Sequence, residues 1–127
     1  MDETLETLEI LIETVELDNG QTLTIEDRSK KIGEDAYQVA VEARIAVAVE
    51  AALFPAGALG EISMDDLRKK VGDPVVFEYR TERNFIMAPD KADVVKSLVD
   101  TFKASLLPYL SKPDFPAKFV LKEYRKM

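Results

Sequence analysis

Apolar and polar residues alternate over fourteen positions in the middle of the chain, from Tyr37 to Glu50. The odd-numbered positions are aromatic, β-branched or Ala, whereas the even-numbered positions are small, polar or charged. A period of two residues predicts one long β-strand with a single apolar face. Because this strand would be longer than most, we expect it to bend or to extend beyond its neighbours.

A hairpin is predicted before this strand, with strands over residues 8–17 and 22–28. Asn19 and Gly20 favour a turn between them, because both residue types tolerate a positive φ. A two-residue loop would place the apolar residues of the two strands on opposite faces. A three-residue loop with Gly20 in the left-handed conformation would place them on one face, and we prefer it for that reason. The residues that would share this face are Leu11, Val15, Leu17, Leu23 and Ile25.

A short helix over residues 64–71 is predicted after an apolar loop at residues 51–62. Ser63 is a typical N-cap, and Gly72 is a typical helix end. A strand over residues 75–86 follows, and its alternation places Phe77, Tyr79 and Phe85 on one face.

A long helix is the next predicted element, and the side chain of Asp90 is expected to cap it. Apolar residues recur at helical spacing from Val94 to Tyr109. Pro108 is expected to end or kink this helix. After a rigid connection, residues 117–124 are predicted to form a last strand.

Together, these elements predict an α+β fold in which helices cover an antiparallel sheet. The sheet has four to five strands, with one long helix packed on one face and one short helix. Residues 1–7 are expected to be a loose acidic arm, and residues 8–127 a single domain.

The charge balance differs between the two halves of the chain. Residues 1–50 hold 13 acidic and 4 basic residues, and residues 51–127 hold 11 acidic and 13 basic residues, which gives a net charge of -7. An acidic chain repels phosphate backbones, so we expect no nucleic-acid partner. No long apolar run or secretory signal is found, which predicts a cytoplasmic protein that does not enter a membrane.

The chain contains neither His nor Cys. This excludes thiolate nucleophiles, Ser-His and Cys-His dyads, and zinc sites built from those residues. The paired carboxylates Glu26-Asp27, Glu34-Asp35 and Asp65-Asp66 match no calcium-loop spacing and are interpreted as ordinary solvated groups. We therefore assign no catalytic residue, metal site or cofactor from the sequence.

An interaction surface is predicted where the Ala-rich second face of the long strand meets the apolar loop. Its residues are Ala46, Val47, Ala48, Leu53, Phe54 and Leu59. We expect self-association through this surface, with a homodimer favoured and a different protein as the alternative partner.

A polar site is a second hypothesis, formed by Tyr37, Tyr79 and Arg83 in a pocket between the sheet and the long helix. Such a pocket could bind a small molecule. It would need a cavity of about 300 Å³ or more.

Residues 17–45 combine an Asn-Gly hairpin, an Asp-Arg-Ser segment with two lysines, and Gly33-Glu34-Asp35 before the long strand. This pattern resembles a group of small bacterial proteins, as do residues 83–86 (RNFI) and Phe115-Pro116. The motifs are structural and the group has no assigned activity, so the resemblance implies no catalytic residue.

The chain is also similar to export chaperones of the SecB type. The similarity lies in its acidity, in the residues DAYQV at 35–39, and in Phe-Pro after a helix. The chain departs from those chaperones through an insertion at residues 51–72 and a charged strand before the helix. The resemblance implies a protein that holds unfolded chains.

The leading interpretation is a protein that acts by binding rather than by catalysis. A SecB-like chaperone and a small-molecule binding protein are the two alternatives.

Overall fold

A computed structural model describes residues 11–126, and these form an α+β fold with a five-stranded antiparallel sheet. The strands are β1 (Leu11–Glu16), β2 (Thr22–Asp27), β3 (Lys30–Lys31), β4 (Ala36–Val47) and β5 (Val75–Met87). The helices are α1 (Met64–Val71), α2 (Lys91–Leu110) and α3 (Phe115–Lys126). Short 3-10 turns occupy Ala51–Leu53 and Ala88–Asp90. The predicted fold class is confirmed, and the arm predicted at residues 1–7 lies outside the described residues.

Strand β4 is the centre of the sheet. Ile45 pairs with Leu23 of β2 and with Phe77 of β5, so these two strands lie along opposite edges of β4. The short β3 continues the β2 edge, and β1 pairs with β2 on its other side. Consequently β1 and β5 are the two long outer strands of the described sheet, and the two-residue β3 is a third, short one.

The core lies on one face of the sheet, which we call the inner face. The long alternating strand places its odd-numbered residues there, and Val39, Val41, Ile45 and Val47 are fully buried. All three helices contribute to the same cluster. Their buried members are Leu67, Leu98, Val99, Phe102, Leu110, Phe115 and Val120. The even-numbered residues of β4, and those of β5 from Val76 to Glu82, form the outer face, which carries most of the charge.

The hairpin register agrees with the three-residue loop. Val15 pairs with Leu23, Glu13 pairs with Ile25, and Gly20 has a φ of 86°. The predicted position of Leu11 is wrong, because a register shift between Leu11 and Glu13 places Leu11 opposite Glu26. Leu11 is therefore 52% exposed rather than packed on the inner face.

Helix α1 has the predicted bounds and the predicted caps. Ser63 Oγ accepts a hydrogen bond from the Asp66 N–H at 3.0 Å, and Gly72 ends the helix with a φ of 86°. Strand β4 is shorter than predicted and ends at Val47. Beyond it the Val49 N–H donates to Asp73 Oδ1, which ties the end of the strand to the segment before β5.

The start of α2 differs from the prediction, and of the two outcomes predicted for Pro108 its helix-ending role is excluded. Asp90 makes no capping hydrogen bond with its side chain, because it lies in the 3-10 turn that leads into the helix. Pro108 does not end the helix, which continues to Leu110.

The last predicted strand is wrong, since Phe115–Lys126 is helix α3. Ala117, Val120 and Leu121 are buried and Tyr124 is partly buried, which is a helical spacing of three and four residues. Pro116 lies in the first turn, where its missing N–H costs no intrahelical hydrogen bond.

Strand β5 contains a bulge that changes the position of Phe85. Arg83 pairs with Val39 and Ile86 pairs with Tyr37, so one extra residue of β5 lies between these two pairs. Phe85 has a φ of 58° and is 77% exposed. The alternation that predicts one face for Phe77, Tyr79 and Phe85 is therefore interrupted at this bulge.

Within residues 11–126, no helix is both long and apolar enough to span a bilayer.

Candidate interaction site at the edge of strand β5

The outer edge of β5 is the longest unpaired strand edge in the described part of the chain. Strand β5 has 13 residues and pairs there only with β4. An unpaired edge presents a row of backbone N–H and C=O groups that can pair with another strand. This edge is therefore a candidate for binding another polypeptide.

The hydrogen bonds of β4 show which residues of β5 point outward. The Arg28 N–H donates to the Ala40 carbonyl at 2.8 Å on the β2 side, so Ala40 directs its backbone groups toward β2. Val41, the next residue, directs its groups toward Thr81 of β5. Since the direction alternates, Thr81 faces β4, whereas Arg80 and Glu82 present their N–H and C=O groups at the free edge.

Charged side chains alternate in sign along this edge. Arg80 Nε lies 2.9 Å from Glu82 Oε2, and Arg44 Nε lies 3.2 Å from Glu78 Oε2 across the β4–β5 pair. Gln38 donates to Glu82 Oε1 and to Asn84 Oδ1. Charges on an edge strand discourage unselective pairing, so a partner strand must match their order.

An aromatic groove lies beside the first part of β5, between this strand and α3. Its walls are Phe77, Tyr109, Phe115 and Phe119, and its volume is about 440 Å³. The Phe77 ring contacts Phe115 and Phe119 edge-on, with 5.8 Å between centroids in both cases. Polar residues form the rim, namely Glu78, Lys122, Glu123 and Lys126. Most of the open surface of the groove is polar and comes from this rim, whereas the aromatic floor is partly buried and Phe115 is fully so. A polar rim around an apolar centre is typical of an interaction site.

Apolar side chains are also exposed along β5 itself. The four that remain open to solvent are Val76, Tyr79, Phe85 and Met87. A single exposed apolar residue is normal, and these four are distributed over both faces and both ends of the strand, with Val76 lining the aromatic groove.

The interaction surface predicted from the sequence is only partly accessible. Val47 is fully buried and pairs with Val75, so it belongs to the core and its assignment to a contact surface is wrong. The strand face that was expected to be Ala-lined is the outer face. Ala46 and Ala48 are exposed, and Ala46 lines a depression of about 390 Å³ on the outer face.

The loop residues of that surface cover the core. Leu53, Phe54 and Leu59 are half-buried and pack against the buried cluster. The loop at residues 51–62 therefore closes one part of the core, which explains its apolar composition.

The predicted polar site is distributed over separate surroundings. Tyr37 lies beneath Lys91, with 5.2 Å from Nζ to the ring centroid, and Tyr79 packs on Phe102 with 5.5 Å between centroids. The cleft between Tyr79 and α2 has a volume of about 50 Å³, and neither Tyr37 nor Arg83 lines it. This is far below the roughly 300 Å³ that a drug-sized ligand needs.

Exposed ion pairs on α2 and at the start of α3 shift the pKa values of some of their members, such as Lys96, whose pKa is raised by a hydrogen bond with Asp100. Within residues 11–126 there is no group of three carboxylates placed to hold a metal ion.

Sequence reasoning missed the groove because it assigned the last segment to a strand. Phe115 and Phe119 are four residues apart, and their rings stack at 5.7 Å on the same side of α3. The spacing of these two residues could have indicated a helix with an aromatic face.

No protein-family model matches this chain, and neither a curated protein nor a solved structure does. The two resemblances drawn from sequence motifs stay hypotheses.

Proposed function

We propose that the protein is a cytoplasmic protein-interaction module that binds an extended polypeptide segment along the free edge of β5. The observation that carries this proposal is the 13-residue edge strand, whose outward backbone groups are unpaired within the described chain and which adjoins an aromatic groove. Self-association is one form that such binding can take.

The free edge of β5 and the aromatic groove have complementary roles in this proposal. Backbone hydrogen bonds to an edge strand supply affinity with little regard to sequence, and pockets beside the strand select side chains. Here the groove of Phe77, Tyr109, Phe115 and Phe119 would take an apolar or aromatic side chain from the bound segment. The alternating charges at Glu78, Arg80 and Glu82 would favour a segment with the opposite order of charge.

A proline variant tests the role of the edge. The Glu82 N–H points away from β4, so Glu82→Pro removes a donor from the free edge and none from the β4–β5 pairing. Glu82→Ala is the matched control, because it removes the same side chain and keeps the N–H. Both variants are expected to keep the wild-type circular dichroism spectrum.

The probe is a phage-displayed library of random ten-residue peptides. We expect wild-type protein and Glu82→Ala to enrich peptides with alternating apolar residues, and Glu82→Pro to enrich none of them. Enrichment that is equal on Glu82→Pro, or absent on the wild-type protein while it is monomeric, would overturn the proposal.

A SecB-like holding activity is a second candidate, and the aromatic groove is the observation that favours it. Apolar segments of unfolded chains are the natural ligands of such a groove. Without ATP, the protein should suppress the aggregation of a heat-unfolded test enzyme, and Phe119→Ser should weaken this suppression. If the test enzyme aggregates to the same extent at a tenfold molar excess of the protein, the holding activity is rejected.

A further inference from the structure

We infer that the segment bound at the β5 edge is β5 of a second copy of this chain, paired antiparallel around a two-fold axis at Thr81. This inference rests on the proposed function and names its partner. It is carried by three properties of β5: the direction of its backbone groups, its order of charges, and the placement of Phe85 relative to the aromatic groove.

Backbone direction limits where the axis can lie. In an antiparallel pair, residues that exchange hydrogen bonds must both point toward the other strand. Before the bulge, the even-numbered residues of β5, such as Arg80 and Glu82, point outward, because Thr81 faces Val41 of β4. An even-numbered residue must therefore lie opposite an even-numbered one. This places the two-fold axis at a residue rather than between two residues.

Three residues at the centre of β5 can hold the axis, namely Tyr79, Arg80 and Thr81. The order of charges along the strand distinguishes them. An axis at Arg80 would place Arg80 opposite the partner's Arg80, and Glu78 opposite the partner's Glu82. Like charges that face each other across a strand pair are destabilising. An axis at Thr81 places Arg80 opposite the partner's Glu82 twice, once on each side of the axis. Glu78 then lies opposite the partner's Asn84, with no repulsion.

An axis at Tyr79 is the remaining alternative. It would also pair opposite charges, since Glu78 would lie opposite the partner's Arg80. However, it would place Val76 opposite the partner's Glu82. It would also leave the aromatic groove beside Phe77 opposite a threonine, the partner's Thr81.

Phe85 decides between the two axes. It is the most exposed large apolar residue within residues 11–126, at 77%, and the bulge holds it at a φ of 58°. A residue other than Gly in this conformation costs free energy, and such residues concentrate at functional sites. An axis at Thr81 lies four residues from both Phe77 and Phe85. Each Phe85, on the bulge, is therefore brought to the end of the partner's β5 that carries Phe77 and the aromatic groove.

The resulting dimer would fill both grooves and cover both exposed edges in one symmetric contact. An isologous interface of this kind uses the same surface of each subunit, so its two halves are satisfied together. The two sheets would continue across the axis as one antiparallel sheet.

Charge reversal tests the register, with the dimer dissociation constant measured by sedimentation equilibrium. Arg80→Glu alone and Glu82→Arg alone each create two like-charge pairs and should weaken the dimer by about tenfold or more. The double variant Arg80→Glu/Glu82→Arg restores opposite charges and should return to within about threefold of the wild type. With an axis at Tyr79, the double variant would remain as weak as Arg80→Glu, which would overturn the assigned axis.

A glycine at position 85 tests the aromatic contact. Phe85→Gly relieves the backbone conformation, so the monomer should unfold at the same or a higher urea concentration. It removes the ring, so the dimer should weaken by at least about tenfold. Leu11→Ala is the control, because Leu11 is an exposed apolar residue at the other outer strand and should not change the dimer. Unchanged dimerisation of Phe85→Gly would reject the contact.

The failure of this inference can be told apart from failure of the proposed function. A wild-type monomer that still selects peptides through its Glu82 N–H would reject the second copy and keep the interaction module. A wild-type dimer that persists unchanged in Glu82→Pro would show that the copies meet elsewhere, and would also reject the inference. A monomer that selects no peptide would reject both.

Discussion

Asn19 in the β1–β2 turn donates a hydrogen bond from Nδ2 to the Leu110 carbonyl at 2.8 Å, over a sequence separation of 91 residues. The same nitrogen donates to the Lys112 carbonyl at 2.8 Å, and Asn19 Oδ1 accepts from the Gln21 N–H at 3.1 Å. The last carbonyls of a helix have no partner within the helix. The hairpin turn therefore caps the end of α2 and fixes this helix against the sheet. Tyr109, a wall of the aromatic groove, immediately precedes the capped residue Leu110.

Replacing Asn19 with Asp should destabilise the fold. The substitution keeps the acceptor for the Gln21 N–H but removes both donated hydrogen bonds, and it places a negative charge beside two carbonyl oxygens. We expect a loss of about 1–3 kcal/mol in the free energy of unfolding, measured by urea denaturation at pH 7. Asp18→Asn is the control at the neighbouring position and should change stability by less than about 0.5 kcal/mol. Equal stability of Asn19→Asp and the wild type would contradict the capping role.

Strand β4 shows how much of the fold the amino-acid pattern can predict. Its alternation identified the buried face correctly over Val39, Val41, Ile45 and Val47, because period two has one physical cause, the pleat of a strand. The pattern could not show which residues of this inner face are covered by other parts of the chain. Val47 was therefore assigned to a contact surface, although it pairs with Val75 inside the core.

The bulges in β1 and β5 explain why the faces of Leu11 and Phe85 were not predicted correctly. One extra residue changes the face of every residue beyond it, and neither Ile12 nor Phe85 is a Gly that would mark such a site. The candidate site was harder still to predict, because its groove combines residues from β5, α2 and α3. Once residues 117–124 were assigned to a strand, Phe119 could not be placed beside Phe77.

Replacing Val47 with Ala tests whether Val47 is a core residue or a contact residue. Two buried methyl groups are lost, so we expect a destabilisation of about 2 kcal/mol without a change in oligomeric state. Ala46→Ser, one position earlier on the exposed outer face, should change stability by less than about 0.5 kcal/mol. Both values follow from urea denaturation, and the oligomeric state from sedimentation. A changed sedimentation coefficient in a fully folded Val47→Ala protein would argue for a contact role.

The positive charge of Arg28 lies close to two carboxylates that are opposite each other in the sheet. Glu26 and Glu42 are cross-strand partners, and the Arg28 guanidinium approaches both, at 2.7 Å and 3.6 Å. Like charges in directly opposite positions are destabilising. Arg28→Met should therefore lower the free energy of unfolding by about 0.5–1 kcal/mol, and the loss should shrink at high salt because the charges are partly exposed.

A second substitution checks the cause of that loss. In the Arg28→Met background, Glu42→Gln removes the repulsion and should recover most of the lost stability. In the wild-type background, the same change removes an attraction to Arg28 and should be neutral or slightly destabilising. If Glu42→Gln had the same effect in both backgrounds, the loss in Arg28→Met would have to come from packing of the arginine stem rather than from charge.

Asp114 and Lys118 form an exposed ion pair at the beginning of α3, with 2.8 Å between Oδ2 and Nζ. The hydrogen bond from Lys118 is the largest cause that lowers the pKa of Asp114 below 3.8, and the same bond raises the pKa of Lys118 above 10.5. The contribution of Asp114 to stability is therefore present above pH 3.8 and is lost as the pH falls through the lowered pKa. The contribution of Lys118 is present below pH 10.5 and is lost as the pH rises through the raised pKa.

Titration of the Asp114 carboxyl carbon by NMR measures this coupling directly. Lys118→Met should raise the pKa of Asp114 back toward 3.8, because both its hydrogen bond and its charge are removed. Lys112→Met is the matched control, since Lys112 lowers the pKa of Asp114 through its charge alone and does so more weakly than Lys118. The shift should therefore be clearly smaller in Lys112→Met than in Lys118→Met. Equal shifts in the two variants would mean that general charge, and not the hydrogen bond across the first turn of α3, sets the titration of Asp114.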